Sequence, residues 1–332
     1  MIDGFSEFRT ALKGIERVLI TTHVNPDGDA VGSVLGMRSI LEQLGKLVEI
    51  VVSDPIPPKY QFLLDRPVRI LGDPELNEMV KQEKFGMVIY LDASEQQRVG
   101  AVLDWCDEWI DESVVIVNID HHISNDSFGD IVVLDPERSS AAELVLEAAS
   151  VLGVVLTSQA ADQLFAGVLT DTGSFQYSNT NVLSLTAASE MVKAGASPAT
   201  VADRIYHQRS IFFYRLLGYL LGTMELYHQG RTCVMMLPLE IAKSLWPEGE
   251  MDTEGIVDYT VRLKGTEVGI FLRETTGDTL RASLRSRGNV NVQQVTESLG
   301  GGGHASAAGC TLEGSMNSAR DTLLAELGKH LG

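Results

Sequence analysis

The sequence predicts an α/β fold in two parts: a parallel, doubly wound N-terminal domain joined by a helical linker to a smaller mixed-sheet α+β C-terminal domain. Three observations carry this. Short β-branched runs alternate with amphipathic stretches through the first half, as strands of a parallel sheet buried on both faces do. From about residue 175 to 225 the pattern turns mostly helical, and past Gly230 shorter strand-like runs and a glycine cluster take over. A length of 332 residues suits two domains. The expected divisions are 1–187 for the first domain, 188–225 for the linker and 226–332 for the second.

Each element has a local cause. RVLITTH, from Arg17 to His23, is a β-branched strand, and the loop VNPDGDA follows it. Val31, Val34, Leu35, Leu41 and Leu44 then recur at helical spacing, with Gly45 where a helix ends on a left-handed glycine. The runs 47–53, 86–92 and 113–120 are further strands, and 139–153 and 158–171 are helices. In the helical region Ser197-Pro198 reads as an N-cap followed by proline at the first helical position. Beyond it come strands at 231–237, 266–274 and 279–286, a short helix in NVQQVTESLG, four glycines (Gly300 to Gly303) and a closing helix near 315–330.

Composition removes several classes of function. With 44% hydrophobic and 21% charged residues the chain can build real cores, which excludes disorder as its main state. No run of apolar residues is long enough to span a membrane, and the N-terminus has no secretory pattern. Cys106, Cys233 and Cys310 are too widely spaced for a CxxC site or a disulfide framework. A reduced, cytoplasmic protein is expected. Net charge −19 argues against a long basic track for nucleic acid. An anionic substrate would therefore need positive charge supplied locally, and metal ions can supply it.

Ligands of open α/β sheets bind beyond the C-terminal strand ends, so residues at those ends are the site candidates. The first strand ends at His23, followed by Asp27 and Asp29; the next candidates end at Asp92 and at Asp120-His121-His122. The helix at 158–171 delivers Asp171 into a turn. Taken singly, Asp27, Asp29, Asp92 and Asp171 also suit caps and turns. Together the five aspartates would repel one another by several kcal/mol at an effective dielectric near ~20. Carboxylates mixed with imidazoles suit Mn²⁺, Mg²⁺, Co²⁺ or Fe²⁺ better than a thiolate zinc site. A carboxylate shared by two such ions is the arrangement of two-metal phosphoester hydrolysis.

His23-Val24-Asn25-Pro26-Asp27-Gly28-Asp29-Ala30 resembles the first signature of the DHH phosphoesterase superfamily, and Asp120-His121-His122 resembles the signature that names it. Leu91-Asp92 and Leu169-Thr170-Asp171-Thr172-Gly173 are similar to two more, and Gly301-Gly302-Gly303-His304-Ala305-Ser306-Ala307-Ala308-Gly309 to the hallmark of the DHH-associated C-terminal domain. The layout is most similar to that of the small bacterial oligoribonucleases, which also dephosphorylate 3′-phosphoadenosine 5′-phosphate. The resemblance implies two divalent ions, Mn²⁺ first and Mg²⁺ or Co²⁺ as alternatives. One would be held by His23, Asp27 and Asp92, the other by Asp29, Asp92, His121 and Asp171, with Asp92 bridging. It implies His122 beside the substrate phosphate as donor or general acid, and Asp120 orienting a histidine.

The C-terminal motif has its own logic. Gly302 and Gly303 can turn backbone N–H groups toward an anion, His304 can donate beside them, and Arg285, Ser286 and Arg287 offer phosphate contacts. By the same resemblance this domain covers the catalytic cleft, with the helical stretch as hinge. Phe175, Tyr177, Phe212, Phe213 and Tyr214 are base-stacking candidates among which the sequence does not choose. The expected activity is hydrolysis of short single-stranded RNA to 5′-mononucleotides, and of 3′-phosphoadenosine 5′-phosphate, by metal-activated hydroxide at a dinuclear site. The expected assembly, from the resemblance, is a homodimer. The alternatives are a phosphodiesterase for cyclic or linear dinucleotide signals and a non-catalytic nucleotide or RNA sensor.

Overall fold

The computed structural model describes residues 4–73, 76, 84–249, 251–275, 278–288 and 290–331, with the backbone alone at His304. The chain divides between Gln208 and Arg209 into two units.

The first unit contains α1 (Phe5–Ala11), β1 (Arg17–Thr22), α2 (Gly28–Gln43), β2 (Leu47–Val52), β3 (Arg69–Ile70), β4 (Met87–Leu91), α3 (Ala101–Asp107), β5 (Val115–Asp120), β6 (Ile131–Leu134), α4 (Ala141–Leu152), α5 (Ser158–Asp171), α6 (Val182–Lys193) and α7 (Pro198–Tyr206). Its sheet runs β3-β2-β1-β4-β5-β6, every pair parallel. Alternate residues bury both faces. Val18, Ile20, Ile89 and Val117 pack with α1, α2, α4 and α5, while Leu19, Val88 and Tyr90 pack with Val102 and Trp105 of α3. Winding reverses between β1 and β4, and the ends of those two strands border the crevice such a switch creates. Gly45 takes the left-handed φ of 76° after α2 that the sequence leads one to expect.

Helices α2 and α5 cross at unusually close range, because Gly28, Gly32 and Gly36 form a side-chain-free stripe at spacings of four. A Cβ on Gly32 would run into the carbonyl oxygen of Gln163, and one on Gly28 or Gly36 into Thr170 or Leu164. From the other side Gly167 lies against Asp29 and Ala142. This crossing brings the start of α2 and the end of α5, hence Asp29 and Asp171, to one place.

The second unit contains α8 (Ile211–Gly222), β7 (Glu225–Tyr227), β8 (Thr232–Leu237), α9 (Leu239–Leu245), α10 (Asp258–Val261), β9 (Val268–Glu274), β10 (Thr279–Ser286), α11 (Val292–Glu297), β11 (Gly302–His304), β12 (Ala307–Glu313) and α12 (Met316–Gly328). Its sheet runs β11-β12-β10-β9-β8-β7. The β8–β9 pair is parallel and the others antiparallel, which makes it mixed as expected. Val268, Ile270, Leu280 and Leu284 pack against residues of α11 and α12; Met235, Leu237 and Phe271 pack against α8 and α9. The pattern reading did not anticipate β3, β6, β7, β11 or β12. No described helix is long and apolar enough to cross a membrane.

The close crossing sets a sign that can be measured. Gly→Ala in an open helix stabilises by roughly 0.5–1 kcal/mol. At Gly32 the obstacle is backbone, so Gly32→Ala is expected to destabilise by about 1–3 kcal/mol in denaturant unfolding. A stabilised Gly32→Ala would mean the helices can part without cost.

Candidate metal centre

Four segments deliver the site. His23 follows β1, Asp92 follows β4, Asp120 closes β5 with His121 and His122 behind it, and Asp171 ends α5. Asp27 precedes α2, where its Oδ1 accepts hydrogen bonds from the backbone N–H groups of Asp29 (2.9 Å) and Ala30 (3.1 Å). It caps the helix and borders the cluster at once. Asp92 lies in the left-handed region at φ 55° while its side chain is 3% exposed. A non-glycine residue there costs roughly 1–2 kcal/mol, and such strain persists where surrounding structure enforces it. Here the Asp92 N–H donates to the Ile119 carbonyl at 3.1 Å.

The six residues expected as ligands converge in two adjacent groups. His23, Asp27 and Asp92 present ligand atoms all within 4.8 Å of one another, and so do Asp29, His121 and Asp171. Asp92 faces both groups. Its Oδ2 lies 3.5 Å from His23 Nε2 and its Oδ1 3.4 Å from His121 Nε2. His23 Nε2 is 3.9 Å from Asp27 Oδ1, and His121 Nε2 is 3.7 Å from Asp171 Oδ2 and 3.8 Å from Asp29 Oδ2. These gaps exceed hydrogen-bond length. They are up to about 1 Å wider than the roughly 3 Å separating neighbouring ligands of an octahedral ion held at about 2.1 Å, room that ligands drawn in by an ion would close. Asp92 Oδ1 is buried with no hydrogen-bond partner among the described residues, which is costly for a carboxylate oxygen unless a cation meets it. The donor set of hard oxygens and imidazoles fits a divalent ion of the Mn²⁺ or Mg²⁺ kind.

Outer contacts fix the ring orientations. His23 Nδ1 donates to the Val24 carbonyl at 2.8 Å, turning Nε2 toward the carboxylates. Asp120 is engaged differently. Its Oδ1 accepts from the His121 backbone N–H at 2.8 Å and from His122 Nδ1 at 2.7 Å, and its Oδ2 accepts from Asn125 Nδ2 at 2.6 Å. Asn125 donates in turn to Asn118 Oδ1 at 2.9 Å. Asp29 also does two jobs. Both its oxygens accept backbone N–H groups at the start of α4, from Ala141 at 2.6 Å and Ala142 at 2.9 Å. Asn179 donates to the carbonyls of Asp171 (3.0 Å) and Ser139 (3.3 Å), tying the turn after α5 to the same place. The pattern reading missed Asn118, Asn125 and Asn179. The only sequence signal was Asn118, a lone amide inside the apolar run VIVNID.

The charges act on one another strongly. Burial disfavours the His23 imidazolium, yet the adjacent carboxylates of Asp92 and Asp27 hold its pKa up at about 9. Burial opposes charge on His121 and His122 too, and the aspartates again prevail, raising both. Burial raises Asp171 to about 7, and Asp27 and Asp92 add to it against His121 and His122. Burial and the charges of Asp92 and Asp171 lift Asp29 well above the carboxylate range. Asp92 is buried as well, but the His121 and His23 imidazoles beside it bring it below that range.

In the second unit Arg285 and Ser286 end β10. Arg285 faces Ala307, which pairs with His304, while Gly303 pairs with Ala308 and Gly302 with Gly309. Three adjacent strands thus bring these backbone positions together at one end of the sheet. Arg285 Nε lies 3.2 Å from Asp258 Oδ1, and the Ser286 N–H donates to the Ser306 carbonyl at 2.9 Å. Gly303 has φ 142°, and a Cβ there would come within 2.6 Å of the Ala307 oxygen, so glycine lets β11 approach β12. The side chain of His304 lies outside the described residues.

Residues 17–168 match the family described as "DHH family, N-terminal domain", and residues 246–330 match the DHHA1 domain. A Thermus thermophilus protein named bifunctional oligoribonuclease and PAP phosphatase NrnA is 34% identical over 91% of this chain and 86% of its own. A Bacillus subtilis protein of the same name is 26% identical over 94% of each. The solved structure of an exopolyphosphatase-related protein from Bacteroides fragilis superposes with a TM-score of 0.91 at 26% identity, covering 98% of this chain and 96% of that one.

The elevated pKa values set how metal binding varies with pH. In the metal-free protein Asp171 keeps its proton up to about 7 and His23 up to about 9. The unfolded chain releases them near 4 and 6.5. The folded form binds more protons over that span, so its stability falls as pH rises, through 7 for Asp171 and through 9 for His23. A cation must displace the same protons. The rise in Tm on adding Mn²⁺ to chelator-treated protein is expected to grow from pH 6 to pH 9. A flat or shrinking increment would contradict a cation site at these residues.

Proposed function

The chain belongs to the DHH family, and on that premise we propose that it is a metal-dependent phosphoesterase acting on short oligoribonucleotides. It releases 5′-mononucleotides and also removes the 3′-phosphate of 3′-phosphoadenosine 5′-phosphate. The observation that supports this most is the divided carboxylate of Asp92, one oxygen toward His23 and the other, without a hydrogen bond, toward His121. In this reading His23, Asp27 and Asp92 hold one divalent ion, and Asp29, Asp92, His121 and Asp171 a second. Bound there, such ions supply a low-pKa water and charge to offset the phosphoryl oxygens.

The side chains around them have separate tasks. His122, tethered through Nδ1 to Asp120, would present Nε2 to a phosphoryl or leaving oxygen. The hydrogen bond to Asp120 favours the ring's protonated, donor form. Asp120 acts by positioning that ring. Arg285, Ser286, Gly302, Gly303 and His304 would hold a substrate phosphate in the second unit. The large negative charge favours short substrates, since a long strand needs a continuous basic groove.

Parallel turnover assays in Mn²⁺ test the reading with a diribonucleotide, a pentaribonucleotide, a long RNA, 3′-phosphoadenosine 5′-phosphate and pyrophosphate. Fast cleavage of the two short RNAs and the bisphosphate is expected, with little of the others. Pyrophosphate hydrolysis alone would overturn it. Asp92→Ala is expected to abolish turnover and Mn²⁺ binding together. Asp120→Ala should lower kcat by about 10–100-fold with Mn²⁺ still bound, and Arg285→Ala should mainly raise KM.

A further inference from the structure

We propose that Arg273 and Arg281 form a phosphate-binding subsite on the face of the second sheet turned away from α11 and α12, separate from the Arg285 end. Leu280, Ala282 and Leu284 enter the core shared with those helices, so Arg281, Ser283 and Arg285 take the other face. On that face Arg281 stands directly across from Arg273 of β9. Opposed residues have Cβ atoms about 4.5–5.5 Å apart, and like charges so placed are destabilising. Arg273 is half-buried and Arg281 exposed. Burial and the charge of Arg281 pull the Arg273 guanidinium below its ordinary pKa.

No described carboxylate relieves this pair by an ion pair. Across β10 from Arg273 the neighbour of Arg281 is Thr311, and Glu313 is placed opposite Thr279. The chain has 45 acidic side chains against 26 basic ones, so leaving two arginines opposed across the strands is contrary to its overall balance. A phosphate group resolves the conflict, because two planar forks can share its oxygens. Arg285 lies four residues along β10, about 13–14 Å away, and its Nε is turned to Asp258. One phosphate therefore does not serve both ends.

The ligand is a phosphate group, carried by an oligoribonucleotide or free in solution. The strand source rests on the phosphoesterase reading above; the anion site does not. The test uses the full chain as wild type, Arg273→Gln, Arg281→Gln and Arg281→Lys. In chelator, a fluorescent pentaribonucleotide should bind each glutamine variant about fivefold more weakly in anisotropy titrations. Arg281→Lys should recover part of the loss, and in each glutamine variant the slope of log K against log salt should lessen by about one. In Mn²⁺ the ratio of kcat/KM for pentaribonucleotide over diribonucleotide should fall by a similar factor. Without phosphate, the Tm of Arg281→Gln should equal or exceed that of wild type, since a repulsion is gone.

Inorganic phosphate forms the second arm. A Tm rise in wild type that Arg281→Gln lacks assigns free phosphate as an occupant; an oligonucleotide effect without it assigns the strand phosphate. Unchanged anisotropy, salt slope and phosphate response in both glutamine variants would overturn the subsite. A wild type that cleaves no RNA would sink the phosphoesterase reading, while the chelator titrations would still decide the subsite.

Discussion

Carboxylates repel, and the edge of the first sheet gathers five of them, three buried, around three imidazoles. That arrangement stands only while positive charge is shared among them. In the metal-free chain the histidines and retained protons do this, which is why His23, His121 and Asp171 all titrate late. Asp92 is where the sharing is concentrated. It is the only one of the five that faces two ligand groups, and its left-handed backbone aims it there. A residue free to relax into extended φ/ψ would turn its carboxylate elsewhere.

The rest of the first unit is scaffolding for that convergence. Parallel pairing of β1, β4 and β5 sets His23, Asp92 and Asp120 at one edge. The glycine stripe of α2 closes the fourth side by bringing in α5. Asp29 joins the two arrangements, since its oxygens take up the first N–H groups of α4 while facing His121. A helix N-terminus favours an anion. Asp29 is therefore held for structural reasons whether or not a cation is present.

Much of this was legible because buried parallel strands are contiguous apolar runs, and polar residues at their ends stand out. His23, Asp92 and Asp120 could be read that way. Asp27 shows the limit. Its cap and site readings compete in the sequence, and the structure has it doing the one while facing the other. The stripe of Gly28, Gly32 and Gly36 was hidden because it interleaves with Val31, Val34 and Leu35 in one helix. Strand β12 escaped because Ala-Ala-Gly-Cys has little β-propensity; pairing with β10 overrides that. Asn125 and Asn179 act over tertiary contacts that no local pattern encodes.

The two cationic places on the second sheet differ in what an anion would meet. Arg285 already has Asp258 beside it, and both are partly exposed. Such pairs contribute about 0–1 kcal/mol, so a phosphate can exchange with the aspartate at small cost and the net gain is correspondingly small. Arg273 and Arg281 start from repulsion instead. An anion there gains its own attraction and also removes a penalty, so equal geometry yields tighter binding between the opposed arginines than at the paired one. On a chain of net charge −19, where long-range attraction for an anion is absent, such local differences would decide where a bound phosphate rests.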